Sequence, residues 1–412
     1  MNESFDGLGI IPEILKRLES LKFVKPTPIQ QKSIPIAVTG EDVIGIAQTG
    51  TGKTMAFSIP MVQRLLTTKK KGLIIVPTRE LAIQVNQSLR KIADVFKMRT
   101  VVLIGGEAIN RQIRDLRMNP DIFVATPGRL IDHLQQRTFS LAAIDVLVLD
   151  EADRMLDMGF APQIKKILAL VPTNRQTLLF SATMPAAITQ IATKYMQKPL
   201  RIEVAPAGTT AERVEQELYI VPKAQKFNLL EKLLLEYQGT VLVFSRTKHG
   251  AKKMSQTLNR FGHKTAELHS NRSLNQRRDA LEGFKSGKYR VLVATDIAAR
   301  GIDVSGIELV VNFDLPDNSE DYVHRIGRTA RAGKSGKAIS FACPEQRKDV
   351  ETIERLIRSR LPVSSVPGIT QVKFDDSAAA SAKGVKFSSR PRNSRPSSSP
   401  SSRHRGGRGF RR

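Results

Sequence analysis

The chain of 412 residues exceeds one ordinary domain and predicts two folded domains with additional sequence. Its formal net charge of +26 points to a polyanionic partner, nucleic acid first and an anionic membrane surface second. A single cysteine, Cys343, excludes an intrachain disulfide framework and a Cys-based zinc site, and it suits a reducing compartment. No apolar run approaches the ~18 residues of a transmembrane helix, and Met1 to Asp6 lacks a basic-then-apolar leader. The expectation is a soluble cytoplasmic protein with no membrane contact and no disulfide partner.

Ile10 to Leu21 spaces Ile10, Ile14, Leu15, Leu18 and Leu21 as an amphipathic helix does. The loop Phe23-Val24-Lys25-Pro26-Thr27-Pro28-Ile29-Gln30 follows, stiffened by its prolines, and Gln30 opens a second short helix. The Gln30 amide carries the donor and acceptor that reading an adenine edge requires, and the Phe23 ring offers a face for the same base. A lone Phe before a Pro-rich turn is, however, more often core. The apolar run Val43 to Ala47 then leads into Gln48-Thr49-Gly50-Thr51-Gly52-Lys53-Thr54, followed by a helical segment, Met55 to Leu66. Strand, glycine-rich turn, Lys-Thr and helix is the layout of a P-loop. The glycines let the backbone aim successive N–H groups at phosphate oxygens, and the helix N-terminus favours an anion. Lys53 would reach the β- and γ-phosphates of ATP, and Thr54 would ligate Mg²⁺. The strict pattern opens with Gly, whereas this loop opens with Ala47.

From 72 to 204 short apolar runs alternate with helical stretches: Leu73–Val76, Val101–Ile104, Ile122–Ala125, Val146–Leu149, Thr177–Phe180 and Leu200–Val204. The runs are continuous rather than alternating, as in a parallel sheet buried on both faces, and right-handed crossovers make a doubly wound α/β domain over 1–204. Ligands of such sheets sit beyond the C-terminal strand ends. Polar clusters fall there: Pro77-Thr78-Arg79-Glu80, Gly105-Gly106, Thr126-Pro127-Gly128-Arg129, Asp150-Glu151-Ala152-Asp153 and Ser181-Ala182-Thr183. One is unremarkable in a loop, but so many at one end of a sheet are not.

Residues 205–213, rich in small residues with Pro and Gly, read as a linker. A second βα series spans 214–366, with strands near Val241–Phe244, Lys264–Leu268, Val291–Ala294, Leu309–Phe313 and Ala338–Ala342, and it contains no second Gly-Lys-Thr loop. The segment 367–412 holds eleven Lys/Arg against two Asp and is dominated by Ser, Arg, Pro and Gly. That composition predicts a disordered basic tail, read either as a solubiliser or as a non-specific RNA grip; its preference for Arg over Lys favours the grip.

A P-loop requires a carboxylate for Mg²⁺ at the end of a neighbouring strand, and Val146 to Leu149 delivers Asp150 and Glu151. Asp150 would hold the metal, and Glu151 is placed to orient and deprotonate the attacking water. An acid pair capping a helix is the plainer alternative. Phosphoryl transfer also calls for positive charge on the transition state. His324-Arg325-Ile326-Gly327-Arg328-Thr329-Ala330-Arg331 supplies it, with Arg328 and Arg331 on one helix face as arginine fingers; a basic helix that only binds RNA is the alternative. Asp303, after the strand through Val293-Ala294, is placed to accept a bond from the ribose.

With these residues in view, the sequence resembles the DEAD-box ATP-dependent RNA helicases, most closely the bacterial RhlE-type subgroup, over about residues 5–345. The resemblance implies two tandem RecA-like domains. It assigns Phe23 and Gln30 to an adenine-reading Q motif and Gln48, Thr49, Gly50, Thr51, Gly52, Lys53 and Thr54 to the phosphate loop, where Ala47 is usual. It implies that Ser181, Ala182 and Thr183 couple hydrolysis to unwinding through Asp153, and that Asp303, His324, Arg328 and Arg331 serve from the second domain. RNA contacts are implied for Pro77, Thr78, Arg79, Gly105, Gly106, Thr126, Pro127, Gly128 and Arg129, and for Ser245, Arg246, Arg277 and Thr295. Leu274 departs from the family, which usually carries Gln there.

The expected activity is an RNA-dependent ATPase using ATP and Mg²⁺ to separate short RNA duplexes, with ribosomal or RNA-degradation complexes as candidate partners. The alternatives are an ATP-gated RNA clamp or annealing factor, and a DNA helicase of a related superfamily.

Overall fold

The computed structural model describes residues 4–47, 50–204, 214–299, 307–329, 336–370 and 372–375. The expected linker at 205–213 and the basic tail from 376 onward lie outside the described residues. Two parallel sheets organise the chain.

The first sheet comprises β1 (Val43–Ile46), β2 (Lys71–Ile75), β3 (Thr100–Leu103), β4 (Ile122–Ala125), β5 (Ile144–Leu149), β6 (Gln176–Ser181) and β7 (Leu200–Glu203), in the order β3-β4-β2-β5-β6-β1-β7. Its helices are α1 (Pro12–Ser20), α2 (Pro28–Val38), α3 (Lys53–Thr68), α4 (Arg79–Ala93), α5 (Ile109–Arg117), α6 (Pro127–Gln135), α7 (Ala152–Asp157), α8 (Ala161–Leu170) and α9 (Ala186–Tyr195). The second sheet comprises β8 (Val214–Ile220), β9 (Val241–Phe244), β10 (Thr265–Leu268), β11 (Val291–Ala294), β12 (Leu309–Asn312) and β13 (Gly336–Ala342), in the order β10-β11-β9-β12-β13-β8. Its helices are α10 (Lys226–Glu236), α11 (Lys248–Arg260), α12 (Leu274–Lys285), α13 (Asp296–Ala299), α14 (Ser319–Ile326) and α15 (Arg347–Ile357).

The continuous apolar runs follow from helices covering both faces. Successive strand side chains point to opposite faces, so each strand feeds two cores. In β2, Ile74 joins one cluster while Leu73 and Ile75 join another. In β9, Leu242 and Phe244 join one second-domain cluster, and Val241 and Val243 the other. Each such fully buried Leu or Ile contributes roughly 1.5–3 kcal/mol. The strand order puts β5, β6 and β1 side by side, so the turns after Leu149, Ser181 and Ile46 converge at one sheet end.

Two features escape the apolar pattern. Strand β8 is missed because Glu215-Gln216-Glu217 interrupts its apolar residues. It is an edge strand whose one partner strand is β13, with a single bridge from Leu218 to Val363 on its other side, and Lys337 of β13 reaches Glu215 and Glu217 at 3.1 and 2.5 Å. The folded chain also runs past the expected boundary at 366. Ile369 is buried in the second-domain core, and Val372 and Phe374 pack on it, so a few apolar residues hold the start of the expected tail segment.

Candidate active site

The phosphate-loop glycines Gly50 and Gly52 have φ of 84° and 92°, left-handed backbone that Gly adopts without strain. Gly52 caps α3, which begins at Lys53 and Thr54. The Lys53 ammonium is buried and donates to the Ala47 carbonyl at 3.0 Å, curling over the loop. Thr51 and Thr54 are half-buried beside it. Gln30 is buried; its Nε2 donates to the Gly52 carbonyl at 3.0 Å, and its Oε1 accepts from Thr27 N–H at 2.9 Å. A Cβ at Gly52 would lie 2.5 Å from Gln30 Nε2, so the close approach requires glycine. Phe23 is half-buried against the first-domain core.

Two strands away, after β5, Asp150 is 3% exposed and Glu151 4%. Burial pushes the Asp150 carboxyl up to about 6, against the pull of the Lys53 charge. Glu151 adopts a left-handed φ of 53° at the start of α7, a conformation that costs about 1–2 kcal/mol in a non-glycine residue. Its Oε2 accepts no hydrogen bond and lies 3.8 Å from Arg154 Nε. Asp153 faces the neighbouring strand end. Its N–H donates to Ser181 Oγ at 3.2 Å, and its Oδ2 accepts from Ala182 N–H, Thr183 N–H and Thr183 Oγ1 at 3.0, 2.8 and 3.0 Å. The structure thus joins the Asp150–Asp153 turn to the Ser181–Thr183 turn.

Further along the same sheet end, Pro77 leads into Thr78, whose Oγ1 caps α4 by accepting from Leu81 N–H at 3.3 Å. The Arg79 guanidinium lies over Gly105 and Gly106, in space that a side chain at Gly106 would occupy. Thr126, Pro127 and Gly128 form the N-terminus of α6, an end suited to phosphate. Arg129 is turned inward: it donates to the Glu107 carbonyl and to Gln112 Oε1, at 3.1 and 3.0 Å.

In the second domain, Arg325 is 2% exposed and fully engaged. It grips Asp296 in a fork at 2.6 and 2.7 Å and donates to Asn312 Oδ1 at 3.1 Å and the Asp314 carbonyl at 2.6 Å. Its guanidinium stacks 4.9 Å from the Phe244 ring centroid. This brace fixes α14, which presents His324 and then Arg328, whose Nε donates to the His324 carbonyl at 3.2 Å. Both line a narrow crevice with Asp296, Asp321 and Arg154, so α14 of the second domain faces α7 of the first. Ser245 is buried after β9, and Arg246 is exposed, with its N–H bonded to Asp314 at 3.0 Å and its Nε 3.2 Å from Asp317. Thr295 precedes α13, its N–H bonded to the Leu268 carbonyl at 3.1 Å. Arg277 is turned to Glu80 of α4, with Nη2 2.8 Å from Oε2, an ion pair without hydrogen-bond alignment.

Gln48, Thr49, Asp303 and Arg331 lie outside the described residues. Four contributors carried no expected role: Glu80, Arg154, Asp296 and Arg325. Each adjoins an expected site residue in sequence, but only the fold reveals whom it meets.

The DEAD/DEAH box helicase family matches residues 27–191, and the helicase conserved C-terminal domain matches 225–333. The chain is 43% identical over 371 residues to the DEAD-box ATP-dependent RNA helicase CshA of Bacillus cereus, covering 89% of this chain and 71% of that one. Among solved structures it resembles S. cerevisiae Dbp5 bound to RNA and ADP BeF3, with a TM-score of 0.79 at 31% identity, over 92% of this chain and 98% of that one. It also resembles Mss116p bound to ssRNA and AMP-PNP, with a TM-score of 0.80 at 32% identity, over 88% and 79% of the two chains. The two sheets are therefore RecA-like domains, and the chain belongs to the DEAD-box ATP-dependent RNA helicases.

Proposed function

We propose that this chain is an RNA-dependent ATPase that closes its two domains on ATP and RNA and locally separates short RNA duplexes. The observation that carries this reading is the crevice in which Arg328 and His324 of the second domain meet Arg154 of the first, one turn from Glu151. The second domain's basic segment thus lines one crevice with the helix that follows Glu151, and in this reading hydrolysis requires both domains.

In this reading Phe23 and Gln30 recognise the adenine, and Gln48 to Thr54 cradle the phosphates. Lys53 leaves the Ala47 carbonyl for the β- and γ-phosphates. Glu151, whose Oε2 accepts no hydrogen bond, orients the attacking water and takes its proton. Arg328 and Arg331 stabilise the transferring phosphoryl group, and Asp303 binds the ribose. The bonds from Asp153 to Ala182 and Thr183 carry the nucleotide state to the RNA-facing turns. Arg79, Gly105, Gly106, the α6 N-terminus, Ser245, Arg246 and Thr295 hold one strand by its backbone.

The residues fit Mg²⁺. Asp150 is a buried oxygen donor in a turn crowded with acids, and a hard cation favours such oxygens together with nucleotide phosphates. Asp150 and Thr54 would hold the ion, which when bound neutralises phosphate charge. Within the family, the RhlE-type reading rests on sequence resemblance alone, and the B. cereus relative bears the name CshA. Cytoplasmic ribosomal or RNA-degradation complexes are the partners the reading favours.

Strand displacement measured beside strand annealing, with RNA and DNA duplexes of equal length, tests the reading. ATP-dependent displacement of RNA is expected. Annealing alone would make the chain a clamp, and equal displacement of DNA would make it a DNA helicase.

A further inference from the structure

Leu274 opens α12 in the second domain, where the family usually carries Gln. Its helix feeds Ala280, Leu281 and Phe284 into the second-domain core. Leu274 does not follow them. It packs against the first-domain cluster that includes Ala82 and Val85 of α4, the one second-domain hydrophobic side chain to do so among the described residues. Three residues on, and so on the same helix face, Arg277 faces Glu80 at the start of α4. The first turns of α12 and α4 thus meet across the cleft.

Two contacts hold this meeting, and they differ in kind. Arg277 and Glu80 are 8% and 6% exposed, and their contact lacks hydrogen-bond alignment. A buried ion pair of such geometry recovers little beyond the cost of desolvating both charges. Burial, aided by the like charge of Arg79 and opposed by the charge of Glu80, holds the Arg277 guanidinium below the usual range. Closure therefore sets two cations, Arg79 and Arg277, around the one carboxylate of Glu80. A phosphate beside Arg79 would balance the excess positive charge; without one the repulsion from Arg79 offsets part of the attraction between Arg277 and Glu80. Burial of the Leu274 side chain carries no such penalty.

We infer that Leu274 is an apolar anchor across the cleft, a positioning residue that lets the domains close with less help from RNA than Arg79, Glu80 and Arg277 alone would need. The consequence for turnover rests on the RNA-dependent ATPase reading; the closure itself does not.

The test attaches donor and acceptor dyes to the full chain through Lys166→Cys and Lys253→Cys, exposed positions of the two domains; the native Cys343 is buried. Energy transfer is titrated with oligouridylate in the presence of Mg²⁺ and a non-hydrolysable ATP analogue. Leu274→Ala and Leu274→Gln are expected to need about five- to tenfold more RNA for half-closure, as loss of a half-buried Leu contact implies, and Leu274→Met to follow the wild type. Half-saturating RNA for ATPase should rise by the same factor, with kcat at saturation within about twofold. The melting of the second domain should not move. Superposable closure titrations of wild type and Leu274→Ala would overturn the anchor. So would a fall in kcat with half-saturating RNA unchanged. A closure shift in a chain whose ATPase ignores RNA would uphold the anchor and refute the ATPase reading instead.

Discussion

Asp153 Oδ2 accepts both the backbone N–H and the hydroxyl of Thr183, at 2.8 and 3.0 Å, and so ties the end of β6 to the start of α7. The Thr183 hydroxyl is the one side-chain bond of the three that Oδ2 accepts. Thr183→Val removes it and leaves the backbone bonds. RNA-stimulated ATPase is expected to stay within a few-fold of wild type while duplex displacement falls by about tenfold or more. The stability cost should be about 1 kcal/mol, measured by denaturant unfolding.

Glu151→Gln keeps the size and the left-handed turn but removes the base. ATP affinity, read by fluorescent-analogue binding, should change little, while turnover falls by about 10²–10⁴. Turnover near wild type would move the base to another residue.

The brace on Arg325 is structural. Arg325→Met leaves Asp296 and Asn312 without their partner, and removing one member of a buried ion pair costs roughly 3–5 kcal/mol. The second-domain unfolding transition should shift to lower temperature. Arg325→Lys keeps the charge but cannot form the two parallel bonds to Asp296, and should fall between.

Burial pushes the Asp150 carboxyl up to about 6, so between pH ~4 and ~6 the folded chain holds a proton that the unfolded chain has lost. This group's contribution to stability is full below pH ~4 and is lost as the pH rises through ~6. Asp150→Asn should flatten the ligand-free stability profile between those limits, by on the order of 2–3 kcal/mol. Nucleotide with Mg²⁺ requires the ionised carboxylate, so its stabilising shift in Tm should be larger at pH 7.5 than at 5.5.

The P-loop, the Asp150–Asp153 turn and the strand-end clusters were legible because each couples a buried apolar strand to residue types with few other uses. The doubly wound class was legible for the same reason: strands covered on both faces read as continuous apolar runs. Strand β8 was not, because an edge strand carries the charges of Glu215 and Glu217 where a central one carries Val or Ile. Neither were the pairings across elements. The resemblance implies an RNA contact for Arg129, and its bonds to the Glu107 carbonyl and Gln112 appear only in the fold. Leu274 reads as a lost polar contact, yet it supplies an apolar one, because its neighbours come from the other domain and no local pattern records them.

The central claim is that hydrolysis waits for the two domains to meet. Steady-state ATPase with and without single-stranded RNA, on wild type and on Arg328→Ala, tests it most directly. The account predicts strong RNA stimulation of the wild type and a loss of about 10³-fold or more in the variant under both conditions. Equal hydrolysis with and without RNA, or an Arg328→Ala variant as active as wild type, would contradict it.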